Sequence, residues 1–191
     1  MDLESIRKDL QRVLKKSRYR HTEGVEAVSG DLALIYGYDV GKAELAGLLH
    51  DCAKYQTDEQ LLEQCNKYQL PVSEIERKCP FLLHGKVGAV FAKEMYGVED
   101  DEILSSIIFH TTGRPAMSLL EKIIFTADYI EPYRKPLPKI DEIRKAAYTD
   151  LELAIVMVLE NTLNYLKESG DEIDGMTEKT YIYYKNILQT R

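Results

Sequence analysis

Nearly every apolar residue in this chain recurs at a spacing of three or four, and no stretch alternates in the manner of a strand bounded by hairpin turns. Ile6, Leu10, Val13 and Leu14 form one stripe, and Val25, Val28, Leu32 and Ile35 form a second that stops at Gly37, a helix-ending residue. A third helix is expected from about Val40 into Leu48, Leu49 and His50. Serine or threonine followed three residues later by Glu or Gln marks four further starts: Thr57 with Gln60, Ser73 with Glu76, Ser118 with Glu121, and Thr149 with Glu152. The pattern also predicts helices over Lys86 to Tyr96, Asp101 to Phe109, Ser118 to Ile130, Leu151 to Lys167 and Glu178 to Leu188. Pro136 and Pro138 make the Pro132 to Pro138 segment a loop. The expected fold class is all-α.

At 191 residues the chain suits one domain with a sizeable core. No repeat or flexible linker divides residues 1–191. No apolar run reaches the length of a membrane span, and the N-terminus does not read as a signal peptide. The expectation is a cytoplasmic protein. Cys52, Cys65 and Cys79 are an odd number without a Cys-x-x-Cys pair, so reduced thiols are expected rather than a cysteine zinc site. A net charge of −7 argues against a nucleic-acid partner but leaves room for a small anionic substrate, since bound metal reverses a local field.

There are only four histidines, and each stands at a helix end in this reading. His21 opens the second helix and His50 closes the third, with Asp51 directly after it. His84 begins a helix after Pro80-Phe81-Leu82-Leu83, and His110 ends one after Ile107-Ile108-Phe109. Asp128 lies behind the apolar run Ile123-Ile124-Phe125-Thr126-Ala127. A carboxylate in such a setting is costly unless it is paired, hydrogen-bonded or metal-bound. One histidine on a helix is more often an ordinary core or surface residue than a ligand. Four histidines with two buried acids are another matter, because each group solves the other's desolvation problem around metal.

Six candidate ligands exceed what one tetrahedral ion takes, which points to two metals. With Asp51 as a bridge, one ion takes His21, His50, Asp51 and Asp128, and the other takes Asp51, His84 and His110. Imidazole with carboxylate suits iron, manganese or zinc. Two such ions lower the pKa of a coordinated water and clamp a phosphoryl group for in-line attack.

These residues resemble the HD-domain phosphohydrolase superfamily, whose pattern is a spread His, His-Asp, Asp set on a helical bundle. The resemblance is closest to the bacterial YqeK-type symmetrical diadenosine tetraphosphate hydrolases. It is carried by Arg18-Tyr-Arg-His21-Thr-Glu-Gly-Val25, Leu49-His50-Asp51-Cys-Ala-Lys54, His84-Gly85-Lys86-Val87-Gly88, His110-Thr-Thr-Gly113-Arg114-Pro115 and Ala127-Asp128-Tyr-Ile-Glu131-Pro132-Tyr-Arg134. The core motifs span residues 18–134, with a helical tail over 149–191.

The resemblance implies a di-iron centre and cleavage of diadenosine tetraphosphate into two ADP, with a metal-activated water attacking an inner phosphate. An HD-type nucleotidase, a ppGpp hydrolase and a non-catalytic nucleotide sensor with a structural metal are the alternatives. With a nucleoside diphosphate as leaving group, no strong general acid is required, and the demand is for positive charge around the phosphates. Lys54 and Arg114 are the candidates for catalytic cations, and Arg18, Arg134 and Thr111 for further phosphate contacts. Phe81, Leu82 and Leu83, together with the Gly170 to Gly175 loop, are candidates for the wall against the base. Several apolar helix faces would allow a homodimer.

Overall fold

The computed structural model describes residues 2–191. Its first helix, α1 (Leu3–Val13), is capped by the Asp2 carboxylate, which accepts from the Ser5 N–H, and it buries Ile6 and Leu10. Helix α2 (Lys16–Tyr36) runs 21 residues and ends at Gly37, whose φ of 68° is the left-handed turn expected of a glycine there. A short connection through Asp39, the N-cap of α3 (Val40–Leu49), folds that helix back on α2. Small side chains let these two helices approach closely. A Cβ on Gly47 would stand 2.7 Å from Ser29 Oγ, 3.0 Å from Glu26 Cα and 3.1 Å from the Val25 carbonyl oxygen.

The middle of the chain forms α4 (Asp58–Lys67), the short α5 (Glu74–Lys78), a 3-10 turn (Pro80–Leu83), α6 (His84–Glu94) and α7 (Asp101–Phe109). Next comes α8 (Leu119–Ile130), whose apolar sequence is explained by its contacts: it packs on α2, α3 and α7, and later helices cover its other side. Val25, Leu48, Leu49, Ile107, Ile123, Ile124 and Ala127 are all completely buried at this junction. The last helices, α9 (Ile140–Ala147), α10 (Leu151–Ser169) and α11 (Gly175–Gln189), form a layer in which α10 touches α8, α9 and α11. Tyr184 of α11 is wholly buried, and its hydroxyl accepts the Met117 N–H at 2.9 Å, tying the tail to the turn before α8. Among the described residues there is no strand, and no helix is long and apolar enough to cross a membrane.

Three of the four expected capping boxes form, at Thr57, Ser73 and Ser118. The fourth does not. Asp150 caps α10 by accepting from Leu153 N at 3.1 Å, while the Thr149 hydroxyl donates back to the carbonyls of Lys145 and Ala146. The reason is α9, which the sequence pattern did not disclose: Thr149 belongs to the end of that helix. Helix α9 starts after Lys139, a left-handed residue without a side-chain cap, so the usual start signal is missing. Other boundaries also shift. Helix α6 begins at His84, as the position of that histidine after Pro80-Phe81-Leu82-Leu83 implied and two residues before the apolar pattern starts, and α11 begins at Gly175 behind the Asp174 cap rather than at Glu178. Helix α2 starts before Arg18, which places His21 in its second turn instead of at its opening.

Gly47→Ala is therefore expected to force α2 and α3 apart, because two of the three atoms it meets are backbone and cannot rotate away. Overpacking of this kind costs about 1–3 kcal/mol. Urea unfolding should show the loss, and an unchanged midpoint would mean that this helix crossing has slack.

Candidate metal centre

The six residues singled out as ligands come from α2, the end of α3, the start of α6, the end of α7 and the last turn of α8, and they meet in one place. His21 Nε2 and His50 Nε2 lie 3.3 Å apart, and His84 Nε2 and His110 Nε2 lie 3.0 Å apart. Asp51 stands between the two pairs. Its Oδ2 faces His50 at 3.5 Å and His21 at 3.8 Å, while its Oδ1 faces His84 at 3.3 Å and His110 at 3.6 Å. Ligand atoms of His21, His50 and Asp51 all fall within 4.8 Å of one another, as do those of Asp51, His84 and His110. Asp128 Oδ1 joins the first group at 3.0 Å from His21 and 3.9 Å from His50. Asp51 is buried, whereas the Asp128 side chain keeps 20% of its surface open, so only one of the two acids is fully enclosed.

The orientation of each imidazole follows from its other nitrogen. His50 Nδ1–H donates to Gly47 O at 2.7 Å, His84 Nδ1–H to Phe81 O at 2.5 Å, and His110 Nδ1–H to Ile107 O at 2.8 Å. His21 Nδ1–H donates to Glu131 Oε1 at 3.0 Å. A carbonyl can only accept, so in the three pairs made with backbone the proton sits on Nδ1 and Nε2 is left to present its lone pair inward. Burial drives the His84 imidazole down to about 4 and also lowers His50. With each Nδ1–H spent on a backbone carbonyl, His84 and His110 set two acceptor nitrogens 3.0 Å apart, facing each other. A cation held by both, and by Asp51, resolves that conflict. Nitrogen and carboxylate donors in this number fit divalent transition metals.

The carboxylates are ionised. Burial opposes it, but the surrounding His50, His110 and His84 rings hold Asp51 well below the usual carboxylate range. Burial likewise opposes ionisation of Asp128, and Arg134 with His21 and His50 overrides it. His21 differs from His50 and His84: burial pushes it down, yet Asp128 and Glu131 lift it to about 9.

Positive side chains surround this cluster. Arg18 Nη1 donates to Asp51 Oδ2 at 2.8 Å, and Arg134 donates through Nη2 to Asp128 Oδ1 at 2.8 Å and through Nε to the Asp128 carbonyl at 3.0 Å. Lys54 does not continue α3, which stops at Leu49; consecutive turns carry it, and its Nζ still arrives 3.2 Å from both ring nitrogens of His84. Burial lowers its pKa. The Thr111 hydroxyl lies 3.2 Å from His110 Nε2 and 3.4 Å from His84 Nε2. Arg114 lies on the loop after His110, where its Nε–H is taken by the buried Glu121 at 2.9 Å and its guanidinium stacks on Phe109. Glu121 is thus more than a capping residue. Leu83 corrects an expectation: it is completely buried in the core and offers no surface to a ligand, because the 3-10 turn directs it inward. Phe81 is 53% exposed and Leu82 partly so.

Glu131 is the residue that sequence reasoning passed over. It is wholly buried, with Oε1 on His21 and Oε2 accepting the Tyr133 N–H at 2.6 Å. Gly24 makes this fit, since a Cβ there would stand 2.6 Å from Glu131 Oε2. The signal available was a Glu three residues after Asp128 and just before a proline, where α8 ends.

The HD domain family profile matches residues 18–133. The chain belongs to the HD domain family. A Halalkalibacterium halodurans protein named bis(5'-nucleosyl)-tetraphosphatase, symmetrical, is 45% identical over 168 residues, covering 88% of this chain and 89% of its own length. A Bacillus subtilis protein of the same name is 40% identical with the same coverage of both. A crystal structure from Clostridium acetobutylicum, described as a predicted HD superfamily hydrolase involved in NAD metabolism, matches with a TM-score of 0.94 at 40% identity over 98% of each chain.

A carboxylate behind a ligating histidine raises its donor strength and fixes its orientation, and losing it typically costs about 10–100-fold in metal affinity. Glu131→Gln should show that loss in competition against a chelator; equal affinity would mean that His21 needs no carboxylate partner. Metal at the His21 position must also displace the proton held there below pH of about 9. Between pH 7 and 8, Mn(II) uptake should release that proton, and affinity at this position should rise as pH climbs towards 9. Proton release measured in weakly buffered solution checks this, and uptake without release contradicts it.

Proposed function

We propose that this protein is a metal-dependent phosphohydrolase that splits diadenosine tetraphosphate symmetrically into two ADP. The observation that carries the reading is Asp51, with one oxygen turned to each histidine pair. The names borne by the relatives from Halalkalibacterium halodurans and Bacillus subtilis support the substrate. In this reading His21, His50, Asp51 and Asp128 hold one ion and Asp51, His84 and His110 hold the other; iron is the metal proposed, with manganese and zinc as the alternatives. When bound, such a pair supplies an activated water and a charge clamp for phosphoryl oxygens.

The chain's own cations do the remaining work. Arg18 and Arg134 brace Asp51 and Asp128 and keep further N–H donors for phosphate oxygens, since a guanidinium carries five. Lys54 adds charge on the His84 side. Arg114, held at Nε by Glu121, presents the rest of its fork from the loop after His110. A diphosphate leaving group with a pKa of about 6 departs without a dedicated proton donor, so the reading requires none.

Metal-replete protein incubated with diadenosine tetraphosphate should yield ADP as the sole nucleotide product. AMP together with ATP would overturn the symmetrical reading. Asp51→Ala should bring bound metal below two per chain and abolish turnover; retention of both would remove Asp51 from the role assigned to it.

A further inference from the structure

Two exposed aromatic rings are rooted in opposite halves of the metal centre. Phe81, 53% exposed, receives the His84 Nδ1–H on its own carbonyl oxygen. Tyr133, 51% exposed, donates its own N–H to Glu131, the carboxylate that holds His21. Each residue is thus tied through its backbone to one histidine pair and not the other, and carries an exposed ring from that point. Among the described residues the other large exposed apolar side chains lack such a tie; Tyr55, next in sequence to Lys54, turns its ring towards Phe91 instead. Arg20 stacks over Tyr133 with its guanidinium carbon 4.1 Å from the ring centre, which stiffens that ring and brings positive charge to its end. The phosphate-binding cations divide in the same way: Arg18 and Arg134 lie on the side of His21 and Asp128, and Lys54 lies against His84.

We infer that the centre has two nucleoside subsites, one at each end, with the Tyr133 ring stacking one base and the Phe81 ring stacking the other. The inference rests on the dinucleotide reading above and specifies it. A substrate with a base at both ends and the scissile bond at its middle needs a platform on each side of the reacting phosphates. Aromatic faces suit that task because stacking asks for a flat π-surface and no particular hydrogen-bond pattern. Both rings project from the surface, so their removal leaves the buried cluster beneath them intact.

ADP titrated calorimetrically into Mn(II)-loaded protein tests this. The wild type should bind two ADP per chain, Phe81→Ala and Tyr133→Ala one each, with the lost site weakened about tenfold or more. Phe81→Trp and Tyr133→Trp should restore two, and bound metal in every variant should stay at two per chain. A single ADP in the wild type, or two ADP at unchanged affinity in both alanine variants, overturns the two-ended site. The outcomes also separate the two claims. Two ADP bound by a wild type that leaves diadenosine tetraphosphate intact would sustain the subsites and end the hydrolase reading. Clean conversion to ADP by alanine variants with unaltered ADP binding would do the reverse.

Discussion

The structure turns on one buried carboxylate. Asp51 lies within 4 Å of four imidazoles from four separate helices, and two cations, Arg18 and Lys54, lie close by. An ionised acid in an apolar junction is tolerated only when opposite charge or hydrogen bonds surround it. Helices α2, α3, α6 and α7 each contribute to that condition. Small residues such as Gly47 allow α3 to lie near enough to α2 for His50 and His21 to meet beside it, and α7 and α8 close the remaining sides. The packing and the cluster thus support one another.

Helix ends provide the precision. The last carbonyls of a helix have no partner within it. At the ends of α3 and α7 those orphans are taken by the ring N–H of the residue that follows, His50 to Gly47 and His110 to Ile107. One bond closes the helix and sets the tautomer at once. His84 uses the Phe81 carbonyl of the preceding 3-10 turn in the same way. His21 lies inside α2, where every nearby carbonyl is already engaged, so it needs a carboxylate from elsewhere. Glu131 fills that need, and together with Asp128 it lifts His21 to about 9. The two histidine pairs are therefore chemically unequal: in one, His21 is backed by an acid, whereas both members of the other are backed by neutral backbone.

Much of this was legible along the chain. Helical periodicity excludes a sheet, the first three capping boxes mark real helix starts, and a chain with four histidines offers few ways to choose ligands. What escaped did so because a different part of the molecule decides it. Thr149 carries a capping pattern, but the unannounced α9 claims its hydroxyl and Asp150 takes the cap. Leu83 sits in an apolar run that could have faced a ligand, and the 3-10 turn sends it into the core. Glu121 reads as a capping-box partner, yet the same carboxylate anchors Arg114 and Ser105.

By itself the sequence determined the helical class, most of the helix starts and the set of groups able to bind metal, because these depend on residue type and on neighbours three or four positions away. Only the tertiary structure decided that Asp51 turns one oxygen to each histidine pair, that Glu131 stands behind His21 in the space Gly24 leaves open, and that the backbones of Phe81 and Tyr133 are tied to different histidine pairs. Those relations join residues up to 110 positions apart. No local pattern encodes such distances; they follow from which helix faces bury against which.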